Sequence, residues 1–145
     1  MLDLSTERDR EIDRRLREDL IIWLSTVGPN GQPHTIPVWF WWDGDSGAIL
    51  IYSEPETRKI RDLRQNTAIA LALETRREGE EVIFFEGNAE LTAEPTTELM
   101  PEGFGAKYAH LFPEIDSSPE KMAAQYSQPI RIRDAKVKTW GIAGT

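Results

Sequence analysis

The residues with the clearest capacity for chemistry are cations grouped at the start of one predicted helix. They lie in the segment Tyr52 to Leu73, which reads YSEPETRKIRDLRQNTAIALAL, and they are Arg58, Lys59, Arg61 and Arg64. Thr57 can cap this helix, and the backbone amides of a first helical turn have no partners within the helix. Because these amides and the cations gather at the positive end of the helix dipole, the segment fits a phosphate group. The same charges also fit a basic helix face in solvent, so the neighbouring elements must decide.

The composition excludes several classes of function. The chain has 145 residues, a formal net charge of -8 and no cysteine. This length predicts one domain, residues 1–145, and the lack of cysteine excludes disulfides and thiolate metal sites. His34 and His110 are far apart in sequence and lack spaced partners, so no metal is expected. An acidic chain repels nucleic acid and anionic membranes overall, so neither is expected as a partner.

The first residues, MLDLSTERDREIDRRL, mix charges from the first turn. No apolar run with the length of a signal peptide or a membrane span follows. The sequence therefore predicts a cytoplasmic protein. Thr6 and Asp9 resemble a capping box, and apolar residues recur at spacing four from Ile12, so the chain is expected to open with a short amphipathic helix.

Apolar runs and turn signals predict a protein of short strands. The Asn30-Gly31 pair favours a hairpin turn, and Gly87 within a long strand indicates a bulge or a close backbone approach. The predicted strands are 20–27, 33–42, 48–52, 67–73, 82–91 and a final one at 130–137. One basic helix crosses between the third and fourth strands, and Ser118-Pro119-Glu120 predicts a later helix start. Six strands with this connectivity favour a mainly β fold, a small antiparallel barrel, over a parallel sheet.

The strand ending in Trp39, Phe40, Trp41 and Trp42 carries aromatic side chains on both of its faces. Neither face of such a strand can be a solvated side. One interpretation is that a partner subunit covers one face. The alternative is that all four side chains belong to the core.

Five segments, taken in order, resemble the flavin-binding split-barrel superfamily related to pyridoxamine 5'-phosphate oxidase. They read LSTVGPNGQPHTIPVWF, WDGDSGAILIYS, TRKIRDLRQNTAIALAL, VIFFEGNAEL and YSQPIRIRDAKVKTW. The patterns YSxPxxxK and PIRIRxxKVxxW are most similar to a small group in that superfamily thought to use the deazaflavin coenzyme F420. The resemblance implies a six-stranded antiparallel split β-barrel that forms a homodimer, with cofactor sites at the subunit interface.

The resemblance also implies roles for individual residues. The backbone of four residues would run along the cofactor ring, and these are Ile36, Pro37, Val38 and Trp39. Tyr52 and Ser53 would follow at the end of the next strand. Thr57, Arg58 and Lys59 occupy the phosphate positions of the family, which agrees with the role inferred from charge and helix position.

Two departures from the oxidase pattern limit the resemblance. Val82 stands where the oxidase places a glutamine that bonds the flavin, which favours a deazaflavin over FMN. The chain also ends without the arginine and histidine motif that the oxidase uses on its vitamin substrate. These departures argue against vitamin B6 oxidation.

The sequence predicts a cofactor-binding oxidoreductase, with coenzyme F420 passing hydride to a small electron-poor substrate. No catalytic dyad is required, because the cofactor supplies the reactive atom. Arg61 and Arg64 are expected to hold the glutamate tail of F420. One alternative is an oxidase or flavin reductase that uses FMN; another is a flavin or haem carrier without turnover. Tyr108 and Tyr126 are candidate proton donors, although packing is favoured for both.

Overall fold

The computed structural model describes residues 2–142, and it shows a mainly β protein with short helices. Its strands are β1 (Ile22–Val27), β2 (Pro33–Val38), β3 (Trp41–Asp43), β4 (Ala48–Ser53), β5 (Ala68–Leu73), β6 (Val82–Leu91), β7 (Gln128–Arg133) and β8 (Lys136–Trp140). Its α-helices are α1 (Glu7–Glu18), α2 (Arg58–Gln65), α3 (Thr96–Leu99), α4 (Glu102–Lys107) and α5 (Pro119–Gln125). Short 3-10 turns occupy Arg77–Gly79 and Pro113–Ile115.

The strands form one antiparallel sheet that curls into a half-barrel. The strand order is β2-β1-β5-β6-β7-β4-β3, and β8 adds to the edge of β6. β6 is long enough to pair with β5 along one edge and with β8 and then β7 along the other. The order ends at β2 on one side and at β3 on the other. This arrangement confirms the predicted mainly β, antiparallel split barrel.

The described residues contain eight strands where the sequence predicted six. The predicted strand 33–42 divides into β2 and β3 because the backbone of Phe40 bonds a tyrosine side chain instead of a neighbouring strand. The predicted final strand divides into β7 and β8 at Asp134, whose φ of 53° lies in the left-handed region. Both breaks depend on contacts or backbone angles that apolar periodicity does not report.

Local signals placed the helices and turns well. Thr6 accepts a hydrogen bond from the amide of Asp9 at the start of α1, as the capping box predicts. Ser118 accepts one from the amide of Lys121 at the start of α5. Gly87 is the predicted close approach, because a Cβ there would lie 3.3 Å from the Cα of Ala135.

Two apolar clusters stabilise the fold. The larger lies inside the half-barrel and receives Ile12 and Leu16 from α1 and Ile60 and Leu63 from α2. The smaller lies under residues 96–126, hereafter the cap segment. Its buried members are Tyr52, Phe104, Tyr108, Phe112 and Met122.

The aromatic run is covered by its own chain. Phe40 and Trp42 are buried in the larger cluster, whereas Trp39 and Trp41 pack on the cap segment. The cap segment therefore covers part of the face on which Trp39 and Trp41 lie, and both side chains keep some exposure. The homodimer itself stays a prediction.

No helix formed by residues 2–142 has the length and hydropathy needed to span a bilayer. The helices are short, and the longest, α1, runs from Glu7 to Glu18. The chain end, where the oxidase motif is absent from the sequence, includes residues 143–145, which lie outside the described residues.

Candidate functional site

A cavity of about 570 Å³ lies between β2, the start of α2 and the cap segment. That volume falls in the usual range for a small-molecule or cofactor site. Its lining residues are Ile21, Ile36, Pro37, Val38, Trp39, Tyr52, Lys59, Ile115, Ser117, Met122, Gln125 and Tyr126. The structure therefore brings together six residues that the sequence proposed as cofactor ligands: Ile36, Pro37, Val38, Trp39, Tyr52 and Lys59.

One wall of the cavity is the end of an edge strand. β2 pairs with β1 on one side, with Ile36 opposite Leu24 and Val38 opposite Ile22. Among the described strands it has no partner on its other side. The Ile36 side chain is 37% exposed, so this wall offers both apolar surface and unpaired backbone groups. A planar ring with a polar edge fits such a wall, because the backbone groups need hydrogen-bond partners.

Lys59 supplies the positive charge inside the cavity. It lies in the first turn of α2 and is half-buried. Burial lowers the pKa of its ammonium group, and the nearby carboxylate of Glu54 acts in the opposite direction. The ammonium makes no hydrogen bond or ion pair with any residue in 2–142. An anionic ligand group would therefore be its first direct partner.

The other residues that the sequence placed near the cofactor phosphate lie close to Lys59 in the chain, but they do not line the cavity. Thr57 precedes α2 but does not cap it; its hydroxyl lies 3.0 Å from the hydroxyl of Ser53. Ser53 is buried, and its hydroxyl donates to the carbonyl of Glu54. Arg58 is exposed at the start of the helix.

Arg61 and Arg64 lie on the exposed side of α2 and contact the loop that precedes it. Arg61 Nη1 donates to the carbonyl of Glu56 at 2.6 Å. Arg64 Nη2 lies 3.4 Å from the carboxylate of the same residue. Neither arginine lines the cavity, so their proposed contact with a cofactor tail requires a ligand that extends along the outside of α2.

His34 has a partner that the sequence analysis did not find. His34 Nδ1 lies 2.7 Å from Oδ2 of Asp62, which also accepts from the hydroxyl of Thr26. Burial would raise the pKa of Asp62, but the hydrogen bonds from His34 and Thr26 lower it overall. This contact links α2 to β1 and β2, and it thereby fixes Lys59 relative to the strand wall.

The opposite end of the wall is held by Tyr108. Its hydroxyl accepts from the amide of Phe40 at 3.0 Å and donates to the carbonyl of Leu20 at 2.7 Å. Its ring stacks on Trp39 with a centroid distance of 4.3 Å. Lys107 Nζ donates to the carbonyl of Phe40 at 3.1 Å and lies over the ring of the same residue.

These contacts decide between the two candidate proton donors. Tyr108 is a packed residue: it is fully buried, and burial raises the pKa of its hydroxyl. Tyr126 lines the cavity and is partly exposed. Of these two candidates, Tyr126 is therefore the one that a bound ligand would meet.

Several lining residues were missed in the sequence. Ile115, Ser117, Met122 and Gln125 come from the cap segment, where the sequence indicated only helical pieces in loops. The Ser118-Pro119 signal located α5, but a helix start does not reveal which strand the helix faces.

Val82 does not line the cavity. It begins β6 and lies opposite Trp140 of β8. Val82 is therefore not positioned to contact a ligand of this cavity in the same subunit.

An edge-strand wall and a half-buried lysine at a helix start therefore meet at one cavity of a split barrel. The chain belongs to the pyridoxamine 5'-phosphate oxidase family, whose model matches residues 9–141. The resemblance drawn from the five sequence segments is thereby confirmed.

Individual relatives are more distant. A 5a,11a-dehydrotetracycline/5a,11a-dehydrooxytetracycline reductase from Streptomyces rimosus is 28% identical over 125 residues, covering 83% of this chain and 74% of the relative. A solved F420 reductase superposes with a TM-score of 0.62 at 24% identity, covering 87% of this chain and 94% of that one. The heme storage protein HutZ from Vibrio cholerae gives a TM-score of 0.66 at 14% identity, covering 94% and 97%. At these identities the two structural matches show a shared fold only.

The contact between Lys107 and Phe40 yields a prediction about pH. Burial lowers the pKa of Lys107 to about 8 from its ordinary 10.5, against a weaker opposing effect of Asp19. Between these two values the unfolded chain holds a proton that the folded chain has lost, so the free energy of unfolding rises with pH. Below a pH of about 8, Lys107 is protonated in both the folded and the unfolded chain, and the cost of burying its charge is fully present.

We therefore expect the free energy of unfolding of the wild-type protein to rise by about 1 kcal/mol relative to that of Lys107→Met as the pH increases between these two pKa values. The expected difference is kept small because Lys107 is partly exposed and solvent screens its charge. Urea unfolding of both proteins at several pH values measures this difference. Tyrosine ionisation affects the two proteins alike and cancels. A difference that stays constant with pH would contradict the lowered pKa.

Proposed function

We propose that this protein is an oxidoreductase whose cavity binds a flavin-type cofactor, with coenzyme F420 preferred and FMN as the alternative. The substrate is a small electron-poor molecule that accepts hydride. The observation that carries the proposal is the cavity itself, which joins an apolar edge-strand wall to a half-buried lysine that pairs with no residue in 2–142.

The residues fit the parts of such a cofactor. The walls formed by Ile36, Val38 and Trp39 suit a planar ring, and the free edge of β2 offers backbone groups to the polar rim of that ring. Lys59 suits a phosphate group, with Arg58 adding charge at the same end of α2. The bound cofactor would supply the hydride chemistry, whereas the protein positions the ring and excludes water.

This division of labour agrees with the absence of a charged catalytic pair among the lining residues that the structure describes. Lys59 is the one ionised side chain in the lining, and it sits where an anion would bind. Tyr126 and Ser117 bring hydroxyl groups to the side formed by the cap segment. The substrate would lie on that side, because the ring would cover β2.

The relatives support reduction as the direction of the reaction. The Streptomyces rimosus relative is a reductase of dehydrogenated tetracyclines, and one solved neighbour is an F420 reductase. These similarities favour F420 over FMN. FMN remains the alternative because a cationic site can bind the phosphate group of either cofactor.

A non-catalytic carrier is the second candidate, and the likeness to the heme storage protein HutZ is the observation that favours it. Within residues 2–142 no histidine lines the cavity, because His34 pairs with Asp62 and His110 lies outside the lining. An axial histidine for haem iron would have to come from elsewhere. Oxidation of the reduced cofactor by an electron-poor acceptor separates the enzyme from the carrier.

We also propose a homodimer formed through the outer face of the sheet. One cross-strand row on this face runs through Pro37, Trp23, Ala72 and Phe84. Trp23 is 37% exposed and Trp140, which packs edge-on against Phe84, is 53% exposed. A row that contains exposed aromatic side chains beside a proline and an alanine suits a protein contact.

One residue connects this face to the site. Pro37 belongs both to the row and to the cavity lining. A partner on the outer face would therefore reach the open side of the cavity, and its own sheet would complete the wall. A cytoplasmic location stays a prediction from the sequence.

Lys59 is the first target for mutation. We expect Lys59→Ala to weaken binding of FMN or F420 by about 1.5 to 3 kcal/mol, the scale of a hydrogen bond to a charged group. Arg10→Ala is the matched control, because it removes one exposed cation from α1, away from the cavity. Titration of tryptophan fluorescence measures both. Equal affinity of Lys59→Ala and wild type would remove the phosphate assignment.

The dimer is tested by charge insertion on the outer face. We expect wild type to sediment as a dimer and Phe84→Arg to sediment as a monomer, because an arginine in the row would be buried without a partner. Lys136→Arg on β8 keeps the charge of an exposed residue and serves as the control. A wild-type monomer at high protein concentration would contradict the proposal.

Arg61 and Arg64 are tested with cofactors of different tail length. We expect the double variant Arg61→Ala/Arg64→Ala to lose affinity for F420 with a long glutamate tail by about 1 kcal/mol, as exposed ion pairs do. The same variant should bind FMN as wild type does, because FMN ends at its phosphate. Unchanged affinity for long-tailed F420 would show that these arginines serve only the loop before α2.

A further inference from the structure

A buried carboxylate joins the edge strand of the cavity to the helix that carries Lys59. His34 Nδ1 donates to Oδ2 of Asp62 at 2.7 Å, and the hydroxyl of Thr26 donates to the same oxygen at 2.8 Å. The Asp62 side chain is 3% exposed, and that of His34 is 23% exposed. Thr26 lies on β1, His34 on β2 and Asp62 on α2, so three elements meet at one oxygen. We call these two hydrogen bonds the Asp62 junction.

The Asp62 junction lies close in the chain to both parts of the cavity. Side chains alternate along a strand, so His34 and Ile36 project from the same face of β2, and Ile36 lines the cavity. On α2, Asp62 follows Lys59 by three residues, a spacing that makes two side chains neighbours on a helix surface. The apolar wall and the cation are therefore joined through two regular elements and one short hydrogen bond between them.

The position of the His34 ring leaves it little freedom. A Cβ at Gly28 would lie 3.0 Å from Cε1 of His34, so the ring is confined between this glycine and Asp62. β2 pairs only with β1 among the described strands. Within residues 2–142, the contact of His34 with Asp62 is the only hydrogen bond between β2 and α2. The spacing of these two elements at the cavity thus depends on His34.

We propose that His34 is a positioning residue, which through Asp62 sets the distance between the apolar wall and Lys59 and thereby favours ligands that carry a phosphate at that distance from a planar ring. This inference rests on the proposed function, because it concerns how the same cavity holds its ligand. A ligand that contacts both parts gains affinity from a fixed spacing, since its second contact forms without a further loss of freedom. A ligand that contacts only the wall gains nothing from it.

FMN and riboflavin separate these two cases, because they share the ring and only FMN carries a phosphate. We expect His34→Ala to weaken FMN binding about tenfold, part of the gain of about a hundredfold or more that two linked contacts can give, and to leave riboflavin binding unchanged. Thr35→Val is the matched control. It removes a hydroxyl that lies 2.7 Å from that of Ser25 on the same strand pair, away from α2, and should bind both ligands as wild type does. Equal losses for FMN and riboflavin in His34→Ala would contradict positioning.

Two further variants separate positioning from a general loss of stability. Both hydrogen bonds of the Asp62 junction end on one oxygen, so Asp62→Asn can keep them and is expected to bind FMN at least as tightly as wild type does. In a Lys59→Ala background, His34→Ala should cause no additional loss of FMN affinity, because the contact that it positions is already absent. Weaker FMN binding by Asp62→Asn, or losses that add in the double variant, would overturn the role of His34.

Amide hydrogen exchange gives a readout that needs no ligand. We expect the amides of α2 to exchange faster in His34→Ala than in wild type, and to exchange at the wild-type rate in Thr35→Val. Unchanged exchange of α2 in His34→Ala would overturn the role of His34. If exchange in α2 becomes faster while wild type binds neither FMN nor F420, the link from His34 to α2 stands and the proposed cofactor function fails.

Discussion

The hydrogen bonds around Tyr108 are the constraint on which the rest of the site depends. A hydroxyl group has one proton to donate, and Tyr108 gives it to Leu20 while accepting from the amide of Phe40. The amide of Phe40 is thereby withdrawn from strand pairing, and β2 ends at Val38. Because the chain turns at this point, Trp39 faces the cavity while Phe40 and Trp42 enter the core. The same tyrosine stacks on Trp39, so one residue fixes both the strand end and the cap segment.

The site is built from parts with opposite requirements. The ring wall is apolar and open because β2 is an edge strand, whereas Lys59 is charged and half-buried at the start of a helix. The contact of His34 with Asp62 joins these parts, since it links β2 to α2 near the cavity. Lys59 is half-buried and forms no ion pair with another residue in 2–142, and burial of an unpaired charge costs free energy. That cost is the physical reason for assigning an anion to Lys59.

Much of this arrangement could be predicted from the sequence because the signals are local. The Asn30-Gly31 turn, the capping pair at Thr6 and the apolar run of β6 each depend on neighbouring residues. The cationic helix was also visible, since its four positive charges lie within residues 58–64. These signals were sufficient to identify the family and six residues of the cavity lining.

The rest depends on contacts between residues far apart in sequence. The end of β2 is set by Tyr108, which is 68 positions away from Phe40. The cap segment meets the cavity through Gln125, whose partner Glu54 gives no local signal of that contact. Such pairings are decided by packing, and one sequence contains no direct record of them.

The most direct test of the account is a parallel titration of the purified wild-type protein with coenzyme F420 and with FMN, followed by tryptophan fluorescence and cofactor absorbance. Trp39 lines the cavity, so a bound ring is expected to quench part of the emission. The account predicts saturable binding of both cofactors, with F420 bound more tightly. Failure of both to bind at concentrations well above those in cells would contradict the assignment of this cavity to a flavin-type cofactor.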